Sequence, residues 1–543
     1  MRRDLKHMAE RPYDLVIIGG GITGAAIAWD ASLRGLRAAL VEKHDFASET
    51  SAASSKLIHG GLRYLRNVEF SLVRESLRER RIWAGIAPHM VEPLQFVLPA
   101  QTALQKLTLR AGLALYDLLS FDRNRLSDPD KMLPRHGALS PPETLAAEPV
   151  LRGAAKAGAL TYHDCMMHAP ERLALEFIQG AVENGAQVAN YARAVRLNET
   201  AGQVTGIRVR DQLDGKEYDI PSRLAVNAAG PWADHIASDG AQAAVRLQRS
   251  KGIHLITRRI SRKAIAVFLE DGHFFVLPWR GHSLLATTDT PYPGDPDELR
   301  VNEADIAELL AKVNRGLPEA KLTRADIRHC YAGLRPLVAD PAGPDKGEIT
   351  YGVSRGSEIF DHQQAENRAG LLSALGGKWT TSRHLAEQVT GLALRKLGRP
   401  KTPCRTSHTP LPGGHMNKFA EFVQQMQARY PTHDPAMIRH LALNYGARLN
   451  RLMEVIAARP ALATPLAPGL PEIGAQIHYA AHAELALHLE DAVFRRSGLC
   501  TLGHPGAAAL DKAASIMAAV RGWTGPETER QIQSVEQRFM IGG

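Results

Sequence analysis

The amino-acid sequence predicts an α/β chain that opens with a Rossmann-like nucleotide-binding unit, continues into antiparallel sheet and closes in an all-helical domain. Three observations carry that prediction. Residues 13 to 18, YDLVII, run apolar into a glycine, ITGAAIAWDASLRG follows with helical spacing, and RAALVEK returns as a strand, which is a βαβ opening. Further on, ARAVRLN, QVTGIRVRD and KEYDIPSRLAVNAAG alternate in the manner of strands between glycine-containing turns, as a meander does. Beyond 414, NKFAEFVQQMQARY, DPAMIRHLALNYG and EIGAQIHYAAHAELALHLEDAVFRR carry apolar residues at helical spacing, with Asp434-Pro435 as a cap and first-turn proline.

The opening unit carries the first chemistry. IIGGGITGAAIA sets Gly19, Gly21 and Gly24 in G-x-G-x-x-G register between strand and helix, for a tight turn, for approach of a pyrophosphate to backbone N–H groups, and for close helix–strand packing. Glu42 closes the next strand, where a carboxylate accepts hydrogen bonds from a ribose diol and disfavours a 2′-phosphate, hence NADP. A serine-rich loop, ETSAASSKLIHGG, follows that strand in place of a further βα unit, which favours FAD over NAD. Its glycines let backbone approach a flat ring system, while Ser54, Ser55 and Lys56 offer donors to the ring and the diphosphate.

The middle of the chain reads as a second sheet. AIAVFLEDGHFFVLPWRGHSLLATTDT, 264 to 290, repeats the strand pattern with Asp271-Gly272 and Arg280-Gly281 as turns, and is expected to floor a substrate cavity. RPKTPCRTSHTPLPGG, 399 to 414, is dense in Pro, Thr, Ser and Gly and reads as a linker.

Composition narrows the class. At 543 residues and 44% apolar content the chain has material for two or three domains. A formal net charge of +9 favours phosphates, anionic lipid or nucleic acid without choosing among them. The four cysteines lie far apart, so neither a disulfide framework nor a zinc knuckle is indicated, and a reducing compartment is expected. MRRDLKHMAERP has no apolar core of a secretory signal, and no apolar run approaches the about 18 residues of a spanning helix, so membrane attachment is expected to be peripheral. TALQKLTLRAGLALYDLLSF, 102 to 121, is the membrane candidate, with leucines beside Lys106 and Arg110 at helical spacing, against the alternative of a core-facing helix. The basic stretch VRESLRERRIW reads as an exposed helix with i,i+4 ion pairs. His478 and His482 stand four apart but lack the HExxH glutamate and a third ligand, so no metal is expected.

GGGITGAAIAWDASLRGL, TSAASSKLIHGGLRYL, VNAAGPWAD, KGIHL, TTDTPY, GLRPL and LGGKWTTSR, in this order, resemble the FAD-dependent glycerol-3-phosphate dehydrogenases, the aerobic, membrane-associated family, over residues 12 to 390. The resemblance implies an FAD domain of the amine-oxidase type, an antiparallel-sheet substrate domain and a C-terminal helical cap. Laid on this chain, it gives FAD-binding parts at 12–80, 151–240 and 346–398, substrate parts at 81–150 and 241–345, the linker at 399–414 and the helical domain at 415–543. It implies oxidation of sn-glycerol 3-phosphate to dihydroxyacetone phosphate over non-covalent FAD, electrons passing to a membrane quinone, on the cytoplasmic face of an anionic membrane, with no nucleic acid and with a homodimer left open. Ala52 and Trp379 depart from the family pattern, at a serine and a leucine position, and no calcium loop of the kind in mitochondrial relatives is present.

The same resemblance assigns residues. Arg63, Tyr64, His254, Arg335, Arg355, Lys378 and Thr380 would line the substrate pocket; Gly19, Gly21, Gly24, Glu42, Ser54, Lys56, Gly60, Gly61, Ala229, Gly230, Asp289 and Gly377 would approach the flavin nucleotide. Arginines suit the phosphate dianion because they bind it bidentately and stay charged. Hydride loss from the alcohol carbon calls for a base that takes the hydroxyl proton; His254 fits, against a hydrogen-bonded core histidine, with His59 as a rival base. Lys378 would stabilise developing negative charge. Two alternatives stand beside this reading: an oxygen-using glycerol-3-phosphate oxidase on the same scaffold, and an FAD-containing nucleic-acid-binding module.

Overall fold

Tyr13–Ile18 is buried along its whole length, as befits a strand covered on both faces. It lies at the middle of a largely parallel sheet ordered Ser357–Asp361, Leu371–Gly376, Glu217–Asn227, Tyr13–Ile18, Ala38–Val41, Gln187–Ala189, in which the Ser357–Asp361 edge strand alone runs antiparallel. The computed structural model describes residues 1–237, 245–338 and 356–541.

One face of this sheet is covered by helices Ile22–Leu33, Pro170–Glu183 and Ser382–Lys396, packed side by side around Trp29 and Phe177, whose rings meet edge to face at 5.0 Å. The other face carries the predicted meander, Ala192–Thr200, Gln203–Asp211 and Glu217–Asn227, whose Val204, Ile207, Val209 and Ile220 bury against Val16, Ile18 and Val41. The last meander strand runs on into the parallel sheet, so one strand serves both.

The second sheet is ordered Thr290–Pro291, Leu247–Thr257, His282–Ala286, Gly272–Trp279, Ala264–Leu269, Val91–Pro99, Ala159–Met167, Leu57–Ile58, with Ile327–Val338 paired to the far side of Leu247–Thr257. The Arg280-Gly281 turn forms as expected, both residues at positive φ, the two-residue geometry that matches strand twist. Two strands fall outside the division expected from sequence. Ala159–Met167 pairs with Val91–Pro99, and Leu57–Ile58 pairs with Ala159–Met167, although both lie in stretches assigned to the nucleotide part. The chain thus crosses between the sheets later than residue 150, because Ala159–Met167 completes its backbone hydrogen bonds only in the second sheet.

The 399–414 stretch is irregular but not a free linker. Leu411 is buried and its N–H donates to Ile86 O at 2.9 Å, and the Gly413 N–H donates to the buried Glu176 carboxylate, which also holds His89. The helical domain beyond it is fastened by charge. Arg495 and Arg496, in a π-helical turn, converge on the buried Asp45 carboxylate at 2.6 to 2.7 Å, and Arg172 pairs with Glu484 at 3.0 Å.

Helix Ala103–Leu119 docks through Leu113 and Tyr116 and leaves Leu104, Leu107, Leu118 and the following Phe121 exposed. Lys106 turns inward, donating to Leu139 O and Ala157 O, so of the two cations picked from sequence only Arg110 faces out. No helix among the described residues is long and apolar enough to cross a membrane.

Candidate active site

The site begins where Tyr13–Ile18 stops. Gly19 takes φ +109°, and a Cβ there would fall 2.6 Å from Ala228 O; a Cβ on Gly24 would fall 1.9 Å from Gly19 O. No other residue fits at either position, so the turn is tight and helix Ile22–Leu33 sits directly on it. Gly21 begins that helix without a side-chain cap, and the Ile22 N–H donates to Ser51 Oγ at 2.9 Å. Glu42 accepts the Gly20 and His44 N–H groups at 2.6 and 2.9 Å; burial pushes its carboxyl up, against those two donors.

These groups line one end of a cavity of about 750 Å³ that also meets Ser54, Ala229, Gly230 and Gly377. An uncapped helix N-terminus for a diphosphate, a carboxylate for a ribose diol, and further length for a second ring system fit a flavin dinucleotide.

A second cavity, about 500 Å³, is lined by His59, Arg63, Tyr64 and His273. Ser55, Arg335 and Lys378 line both, so the cavities meet there. Arg335 is held by Ser250 Oγ and Thr287 Oγ1 at 3.1 and 2.9 Å, donates to Thr288 O, and lies 3.5 Å from Asp289. Lys378 Nζ and the Arg63 guanidinium both face the Tyr64 ring, at 4.3 and 5.1 Å from its centroid. Arg63, Arg335 and Lys378 thus come from distant parts of the chain to one small cavity, which Lys312, Arg315, Asp271, Asp289 and Glu308 also line.

His254, on Leu247–Thr257, stacks on Tyr331 of the neighbouring strand at 4.8 Å and 14°, with Nε2 3.0 Å from Ser55 Oγ. Burial, then the charges of Arg335 and Lys56, hold its imidazole well below the usual histidine range, so it is neutral.

A family model described as FAD dependent oxidoreductase matches residues 14–383, and a glycerol-3-phosphate dehydrogenase of Synechocystis is 35% identical over 98% of both chains. The chain belongs to the FAD-dependent glycerol-3-phosphate dehydrogenase family. Residues 404–528 match a second model, the C-terminal domain of alpha-glycerophosphate oxidase. The aerobic glycerol-3-phosphate dehydrogenase of Staphylococcus saprophyticus is 34% identical over 92% of this chain and 88% of its own. The glycerol-3-phosphate dehydrogenase of Bacillus halodurans, solved with FAD, superposes with a TM-score of 0.78 at 29% identity, covering 98% of this chain and 96% of that one. The L-proline dehydrogenase of P. horikoshii shares the fold alone, at 16% identity, 74% of this chain, 97% of its own and a TM-score of 0.55.

In this member of the dehydrogenase family the expected residues divide unevenly. Gly19, Gly21, Glu42, Ser54, Ala229, Gly230, Gly377 and His254 line the nucleotide cavity, and Arg63 and Tyr64 line the smaller one. Lys56 does not line either. Its φ of 58° turns the side chain beneath the loop, into an aromatic box with Nζ 4.5 Å from the Trp279 ring centroid and 5.3 Å from that of Tyr331.

Thr380 is also behind the wall: buried, it accepts the His59 N–H at 3.1 Å. Gly60, assigned to the flavin, packs instead against Tyr116 and Leu77, and its N–H donates to Asp164, which Arg80 and Tyr116 hold in turn. Gly61 and Asp289 face the smaller cavity and not the nucleotide. Arg355 lies outside the described residues.

The two departures from the family pattern differ in place, since Trp379 lines the nucleotide cavity and Ala52 does not. Ala52 lines neither cavity, and Trp379 donates Nε1–H to Ser51 O at 2.9 Å while packing on Trp83.

Three features escaped the sequence reading. Ser55, read from sequence only as a donor to the ring and the diphosphate, stands at the junction of the cavities beside His254, a place that Ser54 does not share. His273, between Phe268 and Phe275, faces the smaller cavity from a strand read as floor. Lys43 lies 3.8 Å over the Trp232 ring and pairs with Asp297, to which Trp232 Nε1–H also donates, closing one side of the nucleotide cavity with three sequence-distant residues.

Proposed function

We propose that this chain oxidises sn-glycerol 3-phosphate to dihydroxyacetone phosphate and that its electrons pass to a membrane quinone. The observation that carries the reading is the small cavity bounded by Arg63, Arg335 and Lys378, which opens on the nucleotide cavity at Arg335, Lys378 and Ser55. A phosphate dianion seeks such a cluster of cations, and the carbon it is tethered to then lies toward the junction. FAD, when bound, supplies the ring that accepts a hydride.

The residues have the following parts in this proposal. Arg63 and Arg335 hold the phosphate; Lys378 offsets negative charge that develops during oxidation; and neutral His254 receives the hydroxyl proton. The parallel-sheet part holds the cofactor, the second sheet holds the substrate, and the helical domain braces both.

For the membrane, helix Ala103–Leu119 supports contact with the lipid interface. Leu104, Leu107, Ala111, Ala114 and Leu118 recur at three- and four-residue spacing on its exposed side, with Arg110 beside them. An exposed apolar stripe of this kind lies in an interface more readily than in water.

The test is anaerobic addition of glycerol 3-phosphate to the FAD-loaded protein. Loss of the oxidised-flavin absorbance is expected; no loss, or equal loss with an amino acid, overturns the proposal. The match of 404–528 to an oxidase domain favours a second reading, an oxygen-using oxidase. Stoichiometric peroxide in air with no reduction of a quinone analogue decides for it.

A further inference from the structure

Of the three side chains that line both cavities, two are cations and one, Ser55, carries a hydroxyl. Its Oγ lies 3.0 Å from His254 Nε2. Because Nδ1 of the same imidazole is buried with no hydrogen-bond partner, Ser55 is the ring's one such partner among the described residues. His254 itself lines the nucleotide cavity and not the cationic one. The ring cannot swing toward the smaller cavity without losing its stack on Tyr331, and Tyr331 is tied to the serine loop by its hydroxyl, which donates to Ser54 O at 2.9 Å. Serine loop, tyrosine and imidazole therefore form one fixed unit, of which Ser55 is the member that lines both cavities.

We infer that Ser55 is a further catalytic residue, its hydroxyl relaying the proton of the substrate's secondary alcohol to His254 Nε2. This rests on the proposed dehydrogenase reaction. The substrate O–H bond breaks as a new Oγ–H bond forms, and the original Oγ–H bond breaks as Nε2–H forms. The electron pair of the carbinol C–H bond leaves with its hydrogen as hydride, for which FAD, when bound, would supply the acceptor. Serine ends as it began, the imidazole has gained one proton, and the substrate has become a ketone.

The surroundings suit a proton that arrives only with substrate. The groups facing His254 are Tyr331 and Arg335 from the strand Ile327–Val338 and Ser55 and Lys56 from the loop, and the charged ones among them are cations. These cations disfavour imidazolium, although Asp289, 3.5 Å from Arg335, offsets part of the charge. A phosphate dianion held at Arg335 offsets that charge and makes the imidazole a better acceptor. Substrate binding thereby prepares its own base.

The experiment compares Ser55→Ala, Ser55→Thr, His254→Gln and the Ser55→Ala/His254→Gln double variant as FAD-loaded proteins. Wild-type flavin must first bleach anaerobically with glycerol 3-phosphate; failure there overturns the dehydrogenase reading and, with it, the relay. Once wild type reacts, Ser55→Ala is expected to keep its FAD and to bind 2-phosphoglycolate, followed by perturbation of the flavin absorbance, with wild-type affinity. Its flavin reduction is expected to slow by about 10²-fold or more and to lose the acid limb of the pH profile. Ser55→Thr restores most of the rate, and the double variant is no slower than the slower single. Reduction of Ser55→Ala within a factor of about three of wild type, or losses that multiply in the double variant, overturns the relay and leaves His254 or His59 acting directly. Loss of FAD or of 2-phosphoglycolate affinity in Ser55→Ala also overturns it, because the serine is then a structural member of the loop.

Discussion

A Cβ built on Gly252 would lie 2.1 Å from the Arg335 guanidinium, so Arg335 reaches its partners across a gap that only glycine leaves open. Gly252→Ala is therefore expected to push the guanidinium off Ser250 and Thr287. Lost charge-assisted hydrogen bonds of about 1.5–3 kcal/mol correspond to a KM for glycerol 3-phosphate roughly 10- to 150-fold higher. FAD content should stay at the wild-type level, because the cradle at Gly19 and Glu42 is untouched. Steady-state kinetics beside a flavin-to-protein absorbance ratio check both; unchanged KM would show that Arg335 is not a phosphate anchor.

Lys378 is expected to behave differently. Lys378 lines both cavities and its Nζ lies over the Tyr64 ring, and in the proposed reaction it acts on the charge that develops during oxidation. Lys378→Met should lower kcat by about 10²- to 10³-fold with a smaller change in KM. Single-turnover flavin reduction separates the two parameters, and a pure KM effect would move Lys378 to the phosphate end.

Asp45 fastens the helical domain and sets an acid limit. Burial pushes its carboxyl up, but Arg496 and Arg495 more than offset this and hold it at about 2. A carboxyl depressed in the folded chain contributes stability that is fully present above its unfolded value of about 3.9 and is lost as pH falls through about 2. Thermal unfolding followed from about pH 5 downward should show that loss in wild type and a shallower one in Asp45→Asn. At neutral pH, Arg496→Ala, which leaves the buried carboxylate short of a partner, should cost about 3–5 kcal/mol. Equal acid dependence in wild type and Asp45→Asn would remove Asp45 from this role.

The exposed stripe on Ala103–Leu119 makes a prediction about location alone. Leu104→Glu combined with Leu107→Glu places two carboxylates on the apolar face, where no packing is disturbed because both leucines are exposed. Sedimentation with vesicles containing anionic lipid should fall by roughly tenfold or more, given about 0.8 kcal/mol per buried methylene and the added repulsion. Flavin reduction by glycerol 3-phosphate should not change. Undiminished sedimentation would put the membrane contact elsewhere.

The parts of the fold that were legible share a cause. Apolar periodicity marks a strand or helix because burial is periodic, so YDLVII, the meander and the terminal helices were all readable. The glycine fingerprint was readable because steric exclusion at Gly19 and Gly24 depends only on local backbone geometry. Sheet membership was less so: Ala159–Met167 alternates no differently for one sheet than for the other, and its partner Val91–Pro99 is remote in sequence.

The sequence by itself determined the nucleotide cradle, the helical end of the chain and the set of cationic and histidine side chains available for chemistry, since each is written in local spacing and residue type. Only the tertiary structure decided their use. A positive φ sent Lys56 into an aromatic box, a hydrogen bond to His59 placed Thr380 behind the wall, and the meeting of two cavities set Ser55, Arg335 and Lys378 together. The physical reason is that side-chain direction and cavity shape arise from contacts between distant segments, which no local pattern encodes.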